Sequence, residues 1–381
     1  MKMTTRERFL KIAHFDLNDD IFLSSWHQWF WYDVLNRWVK EGASIEILSD
    51  EHRAEYFGFD RVEILPVVSG FRGLGKAGGP PYVAPYIPFF ERKVIEEDER
   101  TRIIITEGGQ KAREYKAQPE RMPQWIEFPV KNRKDWEDLK KRLDPHSPTR
   151  FPSWWIDKVK CWRSRDYPLG LSVGSFFGLL REFLGLENLC IMYYDDPGLI
   201  HGIEEWLEYF AIKIIKKVVK DIKPDFVFYW EDMAGKQGSL ISPKIFREFM
   251  MPCYKKINDF LRSNGVDIIL VDSDGNTEEL IPLWIESGIN GQFPLEVTAG
   301  IDAVKLRKKY GKNFILIGNI DKRALAGGKK AIKEEIMRKV PFLLSKGGYF
   351  PALDHFCPPD VSFENYMFYL KVLREVCGGN K

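Results

Sequence analysis

Residues 225–265 read DFVFYWEDMAGKQGSLISPKIFREFMMPCYKKINDFLRSNG, and this stretch decides the fold. It begins with a β-rich run from Asp225 to Tyr229 and passes through a loop to Ser242-Pro243, where a helix begins. Serine at the N-cap and proline at the first helical position both favour a helix start. Apolar residues then recur at helical spacing as far as Leu261, and Gly265 ends the helix. The stretch therefore predicts one strand–helix unit.

The same order of strand and helix repeats towards the C-terminus. The further predicted strands are Ile268 to Val271, Gly291 to Leu295, Phe314 to Ile317 and Tyr349 to Leu353. The predicted helices are Thr277 to Ser287, Asp302 to Tyr310, Lys329 to Lys346 with a break at Pro341, and a last helix capped by Ser362. Such alternation indicates parallel βαβ units. A doubly wound open sheet is the alternative, but no Gly-rich phosphate loop follows any predicted strand, which favours a barrel.

Length and spacing favour one barrel with an insertion. The chain has 381 residues, and a barrel takes about 250 residues or more with insertions. We predict an α/β fold, a single (β/α)8 TIM barrel over residues 1–381, with an insertion at about 62–130. Residues 89–109, FFERKVIEEDERTRIIITEGG, alternate around a turn as a β-hairpin does, and we expect this region to lie over the barrel mouth. The earlier strand candidates are Ile21 to Ser25 and Tyr167 to Val173.

Composition excludes several classes of function. The net charge of +2 gives no electrostatic case for nucleic acid binding. No segment approaches the length of about 18 apolar residues that a membrane span needs. The first residues, MKMTTRERFLKIAHF, predict an amphipathic helix rather than a signal segment, so we expect a cytoplasmic protein. The five cysteines form no CxxC pair and no disulfide framework.

Polar side chains follow the predicted strands at the edge where a parallel barrel carries its active site. Five successive strand ends contribute Trp230-Glu231-Asp232, Asp272-Ser273-Asp274, Glu296, Asn319 with Asp321, and Asp354-His355. Carboxylates that face each other repel, so a divalent cation, a cationic partner or raised pKa values must relieve the repulsion. Candidate cationic partners are Lys236, Lys322 and Arg323. One histidine with several oxygen ligands suits zinc, iron or manganese.

An aromatic run lies near the first predicted strand end. Residues 26–32 read WHQWFWY. The run suggests a flat or apolar ligand, with Trp26, His27, Trp29 and Trp230 as lining residues. A buried aromatic wall without a ligand is the structural alternative.

Four segments of the second half carry a family resemblance. They are YWEDMAGKQGSLISPKIFREFMMPCYKKI (229–257), IILVDSDGN (268–276), GNIDKRAL (318–325) and GGYFPALDHFCPPDVSFENY (347–366). These segments resemble the uroporphyrinogen decarboxylase superfamily, and within it the branch of corrinoid-dependent methyltransferases. The resemblance extends from about Leu169 to Glu375 and implies the same barrel.

The resemblance also implies a ligand set. True decarboxylases of this family carry an arginine-rich motif near the N-terminus, where this chain has SSWHQWFWYD (24–33), which disfavours a porphyrinogen substrate. The zinc methyltransferases have a His-x-Cys pair, which aligns with Asp272 and Asp274, and a later cysteine, which aligns with His355. Cys357, two residues further on, is a possible substitute. The implied metal ligands, with zinc as the expected metal, are Glu231, Asp272, Asp274 and His355.

Three functional hypotheses remain open from the sequence. The favoured one is metal-assisted O-demethylation, in which a methoxylated aromatic donates a methyl group to a corrinoid (cobalamin) on a partner protein. Its expected catalytic residues are Glu231, Asp272 and His355, and its expected substrate-binding residues are Trp26, His27, Trp29, Trp230, Lys236, Asn319 and Asp321. The alternatives are a decarboxylase of a small acid, with Lys236 or Arg323 holding the carboxylate, and a non-catalytic corrinoid or aromatic carrier. Exposed aromatics make a homodimer plausible.

Overall fold

A central sheet of seven short parallel strands organises the protein. The computed structural model describes residues 3–16, 20–69, 85–117 and 122–376, and the backbone alone of residues 72–73 and 82–83. In chain order the strands are β1 (Glu63–Ile64), β2 (Arg72–Gly73), β3 (Tyr82–Val83), β4 (Lys93–Glu97), β5 (Thr101–Ile105), β6 (Lys111–Tyr115), β7 (Gln124–Glu127), β8 (Leu169–Ser172), β9 (Phe226–Trp230), β10 (Ala234–Gly235), β11 (Gly238–Ser239), β12 (Ile269–Asp272), β13 (Gly291–Phe293), β14 (Ile315–Ile317) and β15 (Tyr349–Phe350).

Helices surround this sheet. They are α1 (Thr5–Ala13), α2 (Tyr32–Lys40), α3 (Asp50–Tyr56), α4 (Arg133–Lys140), α5 (Trp155–Arg163), α6 (Phe177–Leu184), α7 (Leu186–Asp195), α8 (Pro197–Asp221), α9 (Pro243–Ile245), α10 (Met251–Ser263), α11 (Ile281–Ser287), α12 (Ala303–Tyr310), α13 (Lys322–Ala326), α14 (Lys329–Lys346) and α15 (Phe363–Val376). Among the residues that the structure describes, no helix is long and apolar enough to cross a membrane.

The parallel sheet has the strand order β1-β8-β9-β12-β13-β14-β15. The segment Ile21 to Ser25, predicted as the first strand, does not form a regular strand. A 3-10 turn begins at its last residue, Ser25. The stretch from Ile21 to Phe30 nevertheless contacts both sheet edges: Ser24 forms a parallel bridge to Asp60, just before β1, and Phe30 forms one to Cys357, beyond β15. A connection between the first and last strands is consistent with a (β/α)8 barrel.

The alternating direction of side chains along the strands separates two apolar clusters. Phe226, Leu270 and Phe293 belong to a cluster that also contains α1. Their strand neighbours, Val227 and Val271, belong to the larger cluster that contains the helix layer. Successive side chains of a strand point to opposite faces, so the first cluster is the inner face of the sheet and the second is its outer face. Helix α1 closes the amino-terminal end of the strands, where Arg6 pairs with Asp225 at 2.9 Å.

Proline positions account for two departures from the predicted helices. The helix after Ser242 contains a π-helical segment, Phe246–Met250, between α9 and α10. Pro252 follows this segment and has no N–H to donate to the preceding turn, which favours the wider π turn. The predicted break at Pro341 was wrong, since α14 continues from Lys329 to Lys346 with that proline inside it. The predicted cap of the last helix was right, because Asn365 N donates to Ser362 Oγ at 3.2 Å.

A second sheet lies between β1 and β8 along the chain. Strand β1 pairs in parallel with β8 and therefore belongs to the central sheet. Strands β4, β5, β6 and β7 form a separate four-stranded antiparallel sheet between residues 93 and 127. The position of this sheet over the barrel mouth stays a prediction.

Candidate active site

The carboxyl ends of β9 and β12 lie side by side and present different residues to the two faces. Asp272 is in register with Trp230 of β9 and with Phe293 of β13. Asp272 lies two residues beyond Leu270, an inner-face residue, so it belongs to the inner face. Trp230, at the end of β9, packs against the outer cluster, beside Arg181 of α6. Glu231 lies two residues beyond Tyr229, an outer-face residue, and is directed to the helix layer.

Glu231 is buried and is bound to the amino-terminal end of α6. Its carboxylate accepts hydrogen bonds from the backbone N–H groups of Phe177 at 2.7 Å and Gly178 at 3.1 Å, and from the Tyr254 hydroxyl at 2.5 Å. Ser175 Oγ and Phe176 N also donate to it. Burial raises the pKa of Glu231, and these hydrogen bonds oppose that rise. An anion at a helix start is stabilised by free N–H groups and by the helix dipole, so Glu231 serves as an internal anchor.

Asp272 has the environment expected of an acid that keeps its proton. It is partly exposed at the end of β12. Burial, followed by the negative charges of Asp274 and Asp232, raises its pKa well above the ordinary value of an aspartate. Loss of solvation disfavours the charged form, and the neighbouring carboxylates add to that cost. The raised pKa favours the protonated form of Asp272 at a pH where a solvated aspartate is ionised.

His355 and Asp274 form an ion pair across the strand ends. The distance from His355 Nε2 to Asp274 Oδ2 is 3.1 Å. Burial lowers the pKa of His355, but the hydrogen bond and charge of Asp274 outweigh it, so the pKa is raised. Gly275 fixes the turn after Asp274, because a Cβ there would lie 2.3 Å from the Ala234 carbonyl oxygen.

The loop that carries His355 is held from behind by Asp354. This side chain is fully buried and accepts hydrogen bonds from Val297 N at 3.1 Å and Lys322 N at 3.0 Å. Asp354 N in turn donates to the Ile320 carbonyl at 2.8 Å. The loops after β13, β14 and β15 are thus tied together, which positions the imidazole.

Asp232 and Arg181 form a second ion pair that the sequence analysis missed. Arg181 donates to the Asp232 carboxylate at 2.9 Å and to its carbonyl at 2.8 Å. Its guanidinium also lies 5.2 Å from the ring centre of Trp230. Asp232 has φ of 45°, a left-handed conformation that is uncommon for a residue with a side chain. Burial raises the pKa of Asp232, opposed by Arg181.

Three predicted binding residues have other partners or positions. Asn319 is fully buried, and its amide donates to the carbonyls of Leu295 and Ile301 at 3.0 and 2.9 Å. Asp321 caps α13 by accepting from Arg323 N at 2.9 Å, and it also pairs with the Arg323 guanidinium at 2.7 Å. Lys236 lies at the exposed turn between β10 and β11. Asn319 and Asp321 therefore order the loops around the site.

The aromatic run lies on the inner face of the sheet. The ring of Trp26 is 4.7 Å from the rings of Phe226 and Phe293. Trp29 contacts Phe356 at 5.5 Å, next to His355. Because Phe293 is the register partner of Asp272, this aromatic surface adjoins the acidic one.

The two faces of the sheet differ in exposure near the strand ends. Outer-face residues such as Val227 and Val271 are fully buried. Several inner-face residues near the strand ends are only partly buried. We call this partly exposed surface the mouth; its residues are Trp26, Trp29, Ile64, Phe228 and Asp272, together with Trp230 at the end of β9. Cys357 lies apart from it in the outer core, where burial raises the pKa of its thiol well above normal.

Comparison with known proteins identifies the family. Residues 113–376 match the family model described as uroporphyrinogen decarboxylase (URO-D). The chain belongs to the uroporphyrinogen decarboxylase family. The uroporphyrinogen decarboxylase of Nostoc punctiforme is 23% identical over 185 residues, covering 49% of this chain and 50% of that protein. The one of Prochlorococcus marinus is 25% identical over 219 residues, covering 55% and 60%. The chain spans about half the length of the curated relatives it matches.

The fold is also shared with a solved structure. A methyltransferase from Methanosarcina mazei superimposes with a TM-score of 0.62 at 15% sequence identity, covering 98% of this chain and 99% of the other. At that identity the likeness supports the fold. The shared fold extends over nearly the whole length of both chains.

The predicted four-ligand zinc site does not fit these side chains. Glu231 is directed to the helix layer, and its carboxylate already accepts hydrogen bonds from five groups of the protein. In the described ranges, no three His, Cys, Asp or Glu side chains are grouped so that they could hold a metal ion. The physical reason is strand alternation, which sends Glu231 and Asp272 to opposite faces. No step below therefore depends on a metal.

We expect Glu231→Gln to destabilise the protein by about 2–4 kcal/mol, because the amide places an NH2 group among buried donors. Thermal unfolding measured by circular dichroism tests this. Glu187→Gln is the matched control, since Glu187 is exposed in the first turn of α7. A Glu231→Gln protein that melts with the wild type would show that the anchor is unimportant.

We expect Asp274→Asn to lower the pKa of His355, because it removes the carboxylate that raises it and leaves burial and Lys322, which lower it. In the wild type the raised pKa stabilises the fold at low pH, and this contribution is lost as the pH rises through that pKa. NMR titration of the imidazole measures the change. Asp267→Asn, beside His14 at 3.2 Å, should leave the His355 titration unchanged; an unchanged titration in Asp274→Asn would refute the pair.

Proposed function

We propose that this chain is a methyltransferase that moves a methyl group from a small methoxylated aromatic compound to a corrinoid (cobalamin) carried by a partner protein. The observation that carries the proposal is the raised pKa of Asp272 at a mouth lined by aromatic rings. Membership of the URO-D family and the fold shared with a methyltransferase are compatible with it. The corrinoid-carrying partner protein is proposed from the sequence resemblance.

The chemistry requires a proton for the leaving group. When the bond between the donor oxygen and its methyl carbon breaks, the electron pair stays on the oxygen as a developing phenoxide. The carboxyl of Asp272 gives its proton to that oxygen, which leaves as a phenol, and Asp272 becomes a carboxylate. A reduced corrinoid on the partner would supply the electron pair that forms the new bond to the methyl group. Asp272 is partly exposed, so water can return its proton.

The charges at the mouth suit an uncharged donor. The Asp274 carboxylate is paired with His355, and the Asp232 carboxylate with Arg181. With Asp272 protonated, these five groups are close to neutral in sum. An aromatic ether can pack against Trp26, Trp29 and Trp230 without bringing a charge to be neutralised.

Decarboxylation of a small acid is less well supported by these contacts. Such a substrate needs a free cation at the mouth to hold its carboxylate. Arg323, one of the two predicted candidates, is already paired with Asp321, and Lys236 lies at an exposed turn. The acidic side chains at the mouth would repel a second carboxylate. Methyl transfer is therefore the reaction we favour.

The test is methylation of free reduced cobalamin by methoxyphenols, followed by the absorbance of methylcobalamin. We expect turnover by the wild type and a rate about 10²–10⁴-fold lower for Asp272→Asn, because the amide has no acidic proton. Since the pKa of Asp272 is raised, the wild-type rate should fall as the pH rises through that pKa. Asp360→Asn, which changes an exposed aspartate beyond His355, is the matched control.

Two results would contradict the proposal in different ways. If the wild type methylates no cobalamin from any methoxylated aromatic, methyl transfer from such donors is wrong. If the wild type is active and Asp272→Asn keeps its rate, the reaction stands and the acid is another group.

A further inference from the structure

His27 carries a buried polar atom for which the protein supplies no partner. The side chain is 6% exposed, and within the described part of the chain its Nε2 has no hydrogen-bond partner. Burial lowers the pKa of His27 to about 3, so the imidazole is uncharged at neutral pH. Buried polar atoms nearly always have a partner in folded proteins. An orphan atom beside a binding site is therefore a sign of a ligand.

The ring lies directly behind the mouth. Its centre is 4.2 Å from the ring of Trp26 and 5.6 Å from that of Phe293. Trp26 lines the mouth, and Phe293 is the register partner of Asp272. The 3-10 turn Ser25–His27 holds this position. His27 is thus close to the place where the ring of a donor would pack, and separate from the acidic groups.

A second orphan atom lies on the same inner face. Ser172 ends β8 in register with Phe228, and Phe228 lines the mouth. The side chain of Ser172 is 8% exposed, and its Oγ has no hydrogen-bond partner in the ranges that the structure describes. Two unpaired polar atoms among the inner-face residues fit a ligand that has a polar group of its own in addition to the reacting ether.

We propose that His27 forms a hydrogen bond to an uncharged polar substituent on the ring of the methyl donor, so that the preferred donor is a methoxyphenol rather than a simple aryl ether. This inference rests on the proposed function. A hydroxyl matches a neutral imidazole, because each can both donate and accept. A carboxylate would be buried among aromatic rings beside a group that has no charge to offer, which is costly. His27 therefore selects for hydroxylated rings.

Binding of paired probes separates this inference from the proposed function. Isothermal titration calorimetry compares methoxybenzene with 2-, 3- and 4-methoxyphenol on the wild type, His27→Phe and His27→Asn. We expect the wild type to bind at least one methoxyphenol about tenfold tighter than methoxybenzene, the size of one net hydrogen bond at a buried site. His27→Phe should lose this preference yet still bind methoxybenzene, which also shows that the variant folds. His27→Asn, which keeps hydrogen-bonding capacity, should retain part of the preference.

The outcomes distinguish the role of His27 from the proposed function. Equal binding of all four probes by the wild type overturns the role of His27 and leaves the reaction standing. An undiminished preference in His27→Phe does the same. If the wild type binds none of the four, the donor class is wrong, and the proposed function falls together with the inference. If His27→Phe does not fold, the smaller variant His27→Ala takes its place. A preference for methoxyphenol that survives in His27→Ala overturns the inference.

Discussion

Side-chain alternation along the parallel strands is the constraint on which the rest of this structure depends. Each strand sends successive side chains to the inner face of the sheet and to the helix layer. Glu231 and Asp272 end neighbouring strands, yet they belong to opposite faces. One becomes the anion that fixes the start of α6, and the other becomes an acid at the mouth. The division between scaffold and chemistry follows from this geometry.

The acidic groups at the mouth are stabilised by pairing and by retention of a proton. Arg181 compensates Asp232, and His355 compensates Asp274. Within the described residues no cation pairs with Asp272; burial, followed by the charges of Asp274 and Asp232, raises its pKa well above normal. A site that holds one neutral acid beside two ion pairs can deliver a proton without a large change in local charge. That property is what cleavage of an ether requires.

Much of the fold follows from local sequence, but the division of the site does not. The predicted strand starting at Asp225 and the helix capped by Ser362 were confirmed as β9 and α15. The run FVFYW is apolar on both faces, as expected for a buried parallel strand, so its periodicity cannot show which face is inner. Arg181 could not be found from the strand ends, because it comes from a helix of another strand–helix unit. Pro341 shows that tertiary packing can overrule a local helix signal.

The central claim is that Asp272 carries a proton at neutral pH, and infrared difference spectroscopy tests it most directly. The spectrum of Asp272→Asn is subtracted from that of the wild type at pH 7. The subtraction matters because burial also raises the pKa of Glu204 well above normal, so that residue contributes equally to both spectra. The account predicts that the C=O stretching band of one un-ionised carboxylic acid is present in the wild type and lost in the variant. Loss of carboxylate bands instead would show that Asp272 is ionised and would contradict the account.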